Sequence, residues 1–356
     1  MFGLRSNLRV GIDLGSHSIK AVVVEKVGPR FRLLKWSCLE LYTGGEKFDP
    51  EGPKKSVLVP KLMKVITELG LNPRRIKRLA TCIGGGSVAA KEISSLMQTE
   101  EEMSANLMLE ARKHIPLDGS DTVVDYQLLG DNPSEPEKVR VLLVATTRKQ
   151  YEGHQDYLRE LDIKPGIIDA EPLAVINSYI SQASLPENGV IVFLHVGAKK
   201  SILTVVGFKD LFFTRDLSVA GMTFTTELMT KYGLSYEEAE KVKAEQGMNP
   251  NLPLSVEVDE GSLGLADKLA MDKLGDEINR SLRYYVKEAG QSIFTHIVIT
   301  GGGALLKDLD VFLNNKFNLP VEIYNPFNQL DSRVPIEIAN APQMSAAVGL
   351  AIRGDL

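Results

Sequence analysis

Val10-Gly11-Ile12-Asp13-Leu14-Gly15-Ser16-His17-Ser18-Ile19-Lys20, continued by Ala21-Val22-Val23-Val24, is the stretch whose reading decides the fold. Apolar β-formers run into Asp13, a turn of Gly15, Ser16, His17 and Ser18 follows, and the β pattern then resumes. The pattern predicts strand, phosphate-sized turn, strand. Such a turn aims several backbone N–H groups at one spot, which suits an anion. Gly15 lets the backbone approach that anion closely, Ser16 and Ser18 offer hydroxyls, and Lys20 adds a point charge. Asp13, at the strand end, has the chemistry to hold a hydrated magnesium ion.

About half a chain later the plan repeats. Val190-Ile191-Val192-Phe193-Leu194-His195-Val196 runs into Gly197-Ala198-Lys199-Lys200, and Ser201-Ile202-Leu203-Thr204-Val205-Val206 restarts the apolar pattern. A duplicated α/β fold is the simplest explanation, and two facing phosphate turns would form a clamp. A third glycine stretch, Gly301-Gly302-Gly303, follows the apolar run ending at Thr300. It reads as strand, triple glycine, helix start, with bare backbone for a flat ligand face and a helix N-terminus that favours negative charge.

Between these landmarks the pattern predicts a strand over Phe31–Tyr42, a turn at Thr43-Gly44-Gly45, a helix over Val57–Leu69 and a strand over Arg78–Ile83 closed by Gly84-Gly85-Gly86. Ser87 to about Arg148 has a different character. It holds a charged helix capped by Thr99 with Glu102 and stopped by Pro116, then a strand pair over Thr122–Leu129 and Val139–Thr146 around a polar turn. A strand over Gly166–Asp169 leads into a helix over Glu171–Tyr179. The second half adds a strand over Leu211–Leu217, helices around Thr223–Tyr232 and Ser235–Gln246, the latter capped by Ser235 with Glu238, and a long amphipathic helix ending near Ala289.

Composition narrows the function classes. With 356 residues, 44% hydrophobic and 24% charged, the chain is large enough for two domains with sizeable cores. A net charge of -5 gives no basic footprint for nucleic acid, and the Pro73–Arg78 run reads as a solvated loop. Cys38 and Cys82 have neither metal-ligand spacing nor a disulfide framework, which points to a reducing compartment, the cytoplasm. No segment approaches the roughly 18 apolar residues of a membrane span, and the start of the chain lacks the apolar core of a signal peptide.

Together, the turn with Asp13 and Lys20, the connecting helix with Glu171, the second turn at Gly197 and the Gly301-Gly302-Gly303 stretch resemble the actin, sugar kinase and Hsp70 ATPase superfamily over nearly the whole chain. Within it the chain resembles the PilM family, actin-like proteins of type IV pilus assembly related to the cell-division protein FtsA. The likeness lies in Gly11–Ser16, Glu110–Pro116, Ile168–Ala174, Tyr236–Lys243, Tyr324–Phe327 and Ala346–Ala351. It implies a duplicated actin/Hsp70-like (ribonuclease H-like) α/β fold with two lobes around a nucleotide cleft. The expected parts are 1–86 with 149–186 as the first-lobe core, 87–148 as an inserted FtsA/PilM-type subdomain, 187–220 with 291–356 as the second-lobe core, and 221–290 as its helical, adenosine-facing part.

The resemblance also implies ATP and magnesium as cofactors. Gly15, Ser16, His17, Ser18 and Lys20 would meet the phosphates from one side, and Gly197, Ala198, Lys199 and Ser201 from the other. Asp13 would hold magnesium through water, Glu240 and Lys243 would touch ribose and base, and Gly301, Gly302 and Gly303 would bracket the adenosine. Glu171 lies where superfamily ATPases place a water-orienting side chain. The implied role is a cytoplasmic scaffold at the inner face of the inner membrane, peripheral to it through its partner. That partner is the N-terminal cytoplasmic peptide of PilN, which leads on to PilO, PilP and the secretin, with the pilus motor ATPases as further partners.

One departure stands out. The family pattern has an acidic residue two positions before the second-turn glycine, and here that position is His195. A neutral imidazole holds neither magnesium nor an attacking water well, whereas a cationic one would pair with a triphosphate; a packed strand residue without ligand contact is the alternative. Either reading implies slow or absent ATP hydrolysis. Asp169 is a second acid beside Glu171 or a helix cap. His114, His154 and His296 read as structural or surface residues, and Phe208, Phe212, Phe213, Tyr284 and Tyr285 as core contributors or a peptide anchor. Two other functions share the fold: an FtsA-like filament-forming division protein, and a sugar or acetate-type kinase. No second-substrate signature supports the kinase, and the chain stops at Arg353-Gly354-Asp355-Leu356 without the C-terminal amphipathic helix of FtsA.

Overall fold

Leu8–Leu14 (β1), Ser18–Val27 (β2) and Arg30–Glu40 (β3) form an antiparallel meander whose register sets Asp13 opposite Lys20. The computed structural model describes residues 7–353 apart from 43–47, 50–51, 77, 85, 115–120, 134, 253–268, 329 and 333–335. The expected turn at Thr43-Gly44-Gly45, the Pro116 stop and the chain end at Gly354 lie outside them. Alternation puts Ile19, Ala21 and Val23 on one face of the sheet and Val22 and Val24 on the other, and both faces are buried. A sheet covered on both sides needs a near-continuous apolar run, which is what β2 supplies.

The chain continues through α1 (Lys55–Glu68), β4 (Leu79–Ile83), β5 (Val88–Leu96), α2 (Glu100–His114), β6 (Thr122–Asp131), β7 (Lys138–Thr147), α3 (Arg148–Arg159), β8 (Ile167–Ala170) and α4 (Glu171–Ile180). The second half runs β9 (Val190–Val196), β10 (Ser201–Val206), β11 (Phe213–Leu217), α5 (Gly221–Tyr232), α6 (Tyr236–Gln246), α7 (Ala270–Ala289), β12 (Phe294–Thr300), α8 (Leu309–Phe317), β13 (Val321–Ile323), β14 (Asp331–Ser332) and α9 (Ser345–Ile352). The first sheet has the order β14-β3-β2-β1-β4-β8 and the second β11-β10-β9-β12-β13. Strand for strand, β3-β2-β1-β4-β8 matches β11-β10-β9-β12-β13, with the same antiparallel and parallel pairings. The duplication read from the two glycine turns is therefore a duplication of topology.

Two expectations need correction. The section after Ser87 holds three strands in the order β5-β7-β6, not two, because Val88–Leu96 pairs antiparallel with β7 over its whole length. The C-terminal stretch assigned to the second lobe returns to the first sheet. There β14 pairs with β3, and Val348, Ala351 and Ile352 of α9 pack on Val22, Val24 and Leu33. The close approach is made possible by glycine: a Cβ on Gly349 would lie 1.8 Å from the Ala174 carbonyl oxygen of α4. The capping boxes read at Thr99 with Glu102 and at Ser235 with Glu238 are both formed.

Candidate functional site

The β1–β2 and β9–β10 turns face each other across one cleft of about 830 Å³, within the size range of small-molecule sites. Asp13, Gly15, Ser16, His17, Ser18 and Lys20 line it on one side, Gly197, Ala198 and Lys199 on the other. Glu171, Glu240, Lys243, Gly302 and Gly303 complete its walls. Cross-strand pairing brings Lys20 Nζ within 3.0 Å of Asp13 Oδ2. Burial acts to lower the Lys20 pKa, but the Asp13 carboxylate outweighs it and leaves the ammonium above the ordinary lysine value. A fixed cation thus stands beside the first turn.

The second turn is tied to the helix that follows it. The Gly221 and Met222 amides of α5 donate to the Gly197 and Ala198 carbonyls at 2.9 and 2.8 Å. Beside them, Lys243 Nζ lies 2.5 Å from Glu240 Oε1 and donates to Thr225 Oγ1 at 2.7 Å, an i,i+3 pair on one face of α6. Lys199 and Lys200 also line the wall, so the second turn, like the first, offers positive charge.

Two residues of the expected set stand elsewhere. Ser201 is buried at the start of β10 and donates to the Val219 carbonyl at 2.7 Å, away from the cleft wall. Gly301 turns the chain with φ of 87° against β9, where a Cβ would meet the Val196 backbone at 2.5 Å; Gly302 and Gly303 form the wall. The glycine triple also does not open a helix. A series of turns follows it and α8 begins only at Leu309, so no helix N-terminus points into the cleft there.

Glu171 is the first residue of α4, and its Oε1 lies 3.3 Å from His195 Nε2. His195 sits mid-sheet on β9, paired with Ile202 of β10 and Thr300 of β12, and is buried. The histidine therefore does face the cleft, and it meets a carboxylate there. Asp169 is neither a second cleft acid nor the α4 cap: it forms an ion pair with Arg353 at 2.7 Å, and Ala170 is the N-cap residue. Burial raises its pKa, with Arg353 opposing.

Several wall residues escaped the sequence reading. Cys38, Cys82, His154, Tyr236 and Asn340 all line the cleft. Burial pushes the Cys82 thiol well above its usual range, which makes it a poor nucleophile. His154 accepts from or donates to Thr81 Oγ1 at 3.0 Å, and burial lowers its pKa to about 4. Asn340 donates to the Gly302 carbonyl at 2.9 Å, and the one clue to it was its place before Ala341-Pro342. His296 lies 3.3 Å from the Tyr179 hydroxyl, outside the cleft; the side chain of His114 is outside the described residues. Of the aromatic group, Tyr285 is buried against Phe213 and Phe294, whereas Phe208 is exposed. Phe212, Phe213 and Tyr284 line a second groove of about 630 Å³ between the β5 and β11 strands.

The donor set fits a phosphorylated ligand: glycine-rich backbone on two sides, a partly buried lysine on one and two lysines on the other. It fits magnesium in one way. Among the described residues no cluster of three or more metal-ligating side chains exists, so an ion here would take Asp13, waters and phosphate oxygens, the usual arrangement for magnesium beside a nucleotide.

Known proteins share this architecture. The solved PilM-PilN type IV pilus biogenesis complex contains a chain that superposes with a TM-score of 0.78 at 21% identity, covering 97% of this chain and 98% of that one. The ethanolamine utilization protein EutJ from Carboxydothermus hydrogenoformans matches at 0.50 with 15% identity over 99% and 91% of the two chains. A diol dehydratase-reactivating factor in nucleotide-free form matches at 0.52 with 11% identity over 97% and 99%. The fold is that of the actin-like ATPases. Residues 11–355 match the family of the type IV pilus assembly protein PilM, and the chain belongs to that family.

Proposed function

We propose that the protein is an ATP-binding scaffold of the type IV pilus assembly machine, one that holds the N-terminal cytoplasmic peptide of PilN and turns ATP over slowly or not at all. The observation that carries the nucleotide reading is the convergence of two duplicated glycine turns, with Asp13 and Lys20 on one side and Gly197 to Lys200 on the other, on a single cleft. Lys20 and the turn amides hold the phosphates, Asp13 holds a hydrated magnesium ion, and Gly302, Gly303, Glu240 and Lys243 border the nucleoside. Bound magnesium neutralises phosphate charge. The chain's own contribution is to fix the distance between its halves, since each half holds one turn.

The partner reading is supported by the family and by the groove between β5 and β11. Each of these strands is the outer strand of its sheet, and Phe212, Phe213 and Tyr284 supply apolar pockets beside them. An extended peptide would find backbone partners and side-chain pockets there. Through PilN the scaffold reaches PilO and PilP at the inner membrane and, beyond them, the outer-membrane secretin; no described helix is long and apolar enough to cross a membrane itself.

The test is calorimetry with ATP and magnesium on wild type and Lys20→Ala, followed by capture on an immobilised PilN leader peptide with and without ATP. Wild type is expected to bind ATP, the variant at least tenfold more weakly, and ATP to change peptide retention. Equal ATP affinity in the two proteins would show the phosphate clamp to be misassigned, failure of wild type to bind ATP would remove the nucleotide reading, and no retention in either state would remove the partner reading.

A further inference from the structure

We propose that His195 is a positioning residue that holds Glu171 away from an attacking water, so that weak hydrolysis in this chain is an imposed lock. The inference rests on the nucleotide reading of the cleft. Hydrolysis would form a bond from a water oxygen to the γ-phosphorus and break the bond to the β–γ bridging oxygen, whose electron pair leaves with ADP. The water proton passes to the phosphate or to a nearby carboxylate, here Glu171. That carboxylate must be free to face the water.

In the structure it is fenced on two sides. Its Oε1 is 3.3 Å from His195 Nε2. Its Oε2 lies so close to the end of β4 that a Cβ on Gly84 would sit 1.7 Å away. His195 itself has little room to give way, because it is buried on a central strand paired on both sides. Its other ring nitrogen, Nδ1, is buried without a hydrogen-bond partner among the described residues, so Nε2 facing Glu171 carries the ring's polar contact. The sign of the interaction matters most. An acid at position 195, as the resemblance leads one to expect, would repel Glu171 toward the cleft, whereas an imidazole N–H attracts it.

The experiment measures ATP turnover with magnesium and, in parallel, ATP affinity by calorimetry. His195→Ala and His195→Asp are expected to raise kcat at least tenfold while ATP affinity changes less than threefold. His195→Gln, which keeps an N–H toward Glu171, should give a smaller gain than His195→Ala. Glu171→Gln in the His195→Ala background should abolish the gain. His195→Asn, too short to reach Glu171, replaces the alanine variant under the same criterion if melting finds that variant unfolded. The lock is overturned if these variants bind ATP like wild type and turn it over no faster, or if the gain survives Glu171→Gln. Failure of wild type to bind ATP would instead overturn the nucleotide reading and the lock with it.

Discussion

His154 illustrates how a single partly buried group couples the cleft wall to pH. Its ring is held against Thr81 on β4, and burial lowers its pKa to about 4 from an unfolded value of 6.5. A lowered folded-state pKa means that the native state favours the neutral ring. The stability it contributes is therefore fully present above pH 6.5 and is lost as pH falls through 4. The loss is at most about 3–4 kcal/mol, since each pKa unit is worth about 1.4 kcal/mol. Denaturant melts of wild type and His154→Gln between pH 7 and 4 should show wild type falling more steeply, and parallel curves would contradict the assignment. Lys20 behaves in the opposite sense: its raised pKa keeps it cationic across the physiological range, a constant charge beside the first turn.

Among the elements, α9 bears most directly on the first lobe. It packs on the sheet with Val348, Ala351 and Ile352 and crosses α4 at Gly349, where even a methyl group would collide with the Ala174 carbonyl. Gly349→Ala should therefore cost on the order of 3 kcal/mol, through a forced separation of the two helices; a change below 1 kcal/mol in equilibrium unfolding would show that α9 can shift cheaply. How much of the architecture was legible follows from such details. The two hairpins were readable because period-two apolar runs flank glycine turns, and both capping boxes because their chemistry is local. The strand β5 was not, since Lys91, Glu92, Ser94 and Ser95 interrupt its apolar pattern. The helix expected at the glycine triple failed because Gly301 turns with a left-handed φ, and the next helix waits until Leu309. The meeting of His195 with Glu171 had no local signal: it joins the centre of one sheet to the helix after the last strand of another.

At the scale of the whole molecule, Glu92 and Arg140 pin the three-stranded sheet to the second lobe. Glu92 accepts from Arg140 through both oxygens and from the Phe212 amide at 2.8 Å, while Arg140 donates to the Lys209 and Asp210 carbonyls at 3.1 and 2.9 Å. With side chains only 5% and 15% exposed, the pair is costly to break, and Glu92→Ala should destabilise by roughly 3 kcal/mol because it leaves the largely buried guanidinium with carbonyl acceptors and no carboxylate. Hydrogen exchange should quicken at Phe212 in that variant; unchanged protection there would contradict the pin. The late return of β14 and α9 to the first sheet has a consequence for synthesis. A nascent chain has its first meander, α1 and β4 outside the ribosome early, yet the apolar face of Val22, Val24 and Leu33 stays uncovered until residues 331–352 emerge, after the last strand of the second sheet, Val321–Ile323, has been made. Vectorial folding is thus inverted: the half made first is finished last, and during translation it carries an exposed hydrophobic face, the kind of surface that chaperones capture.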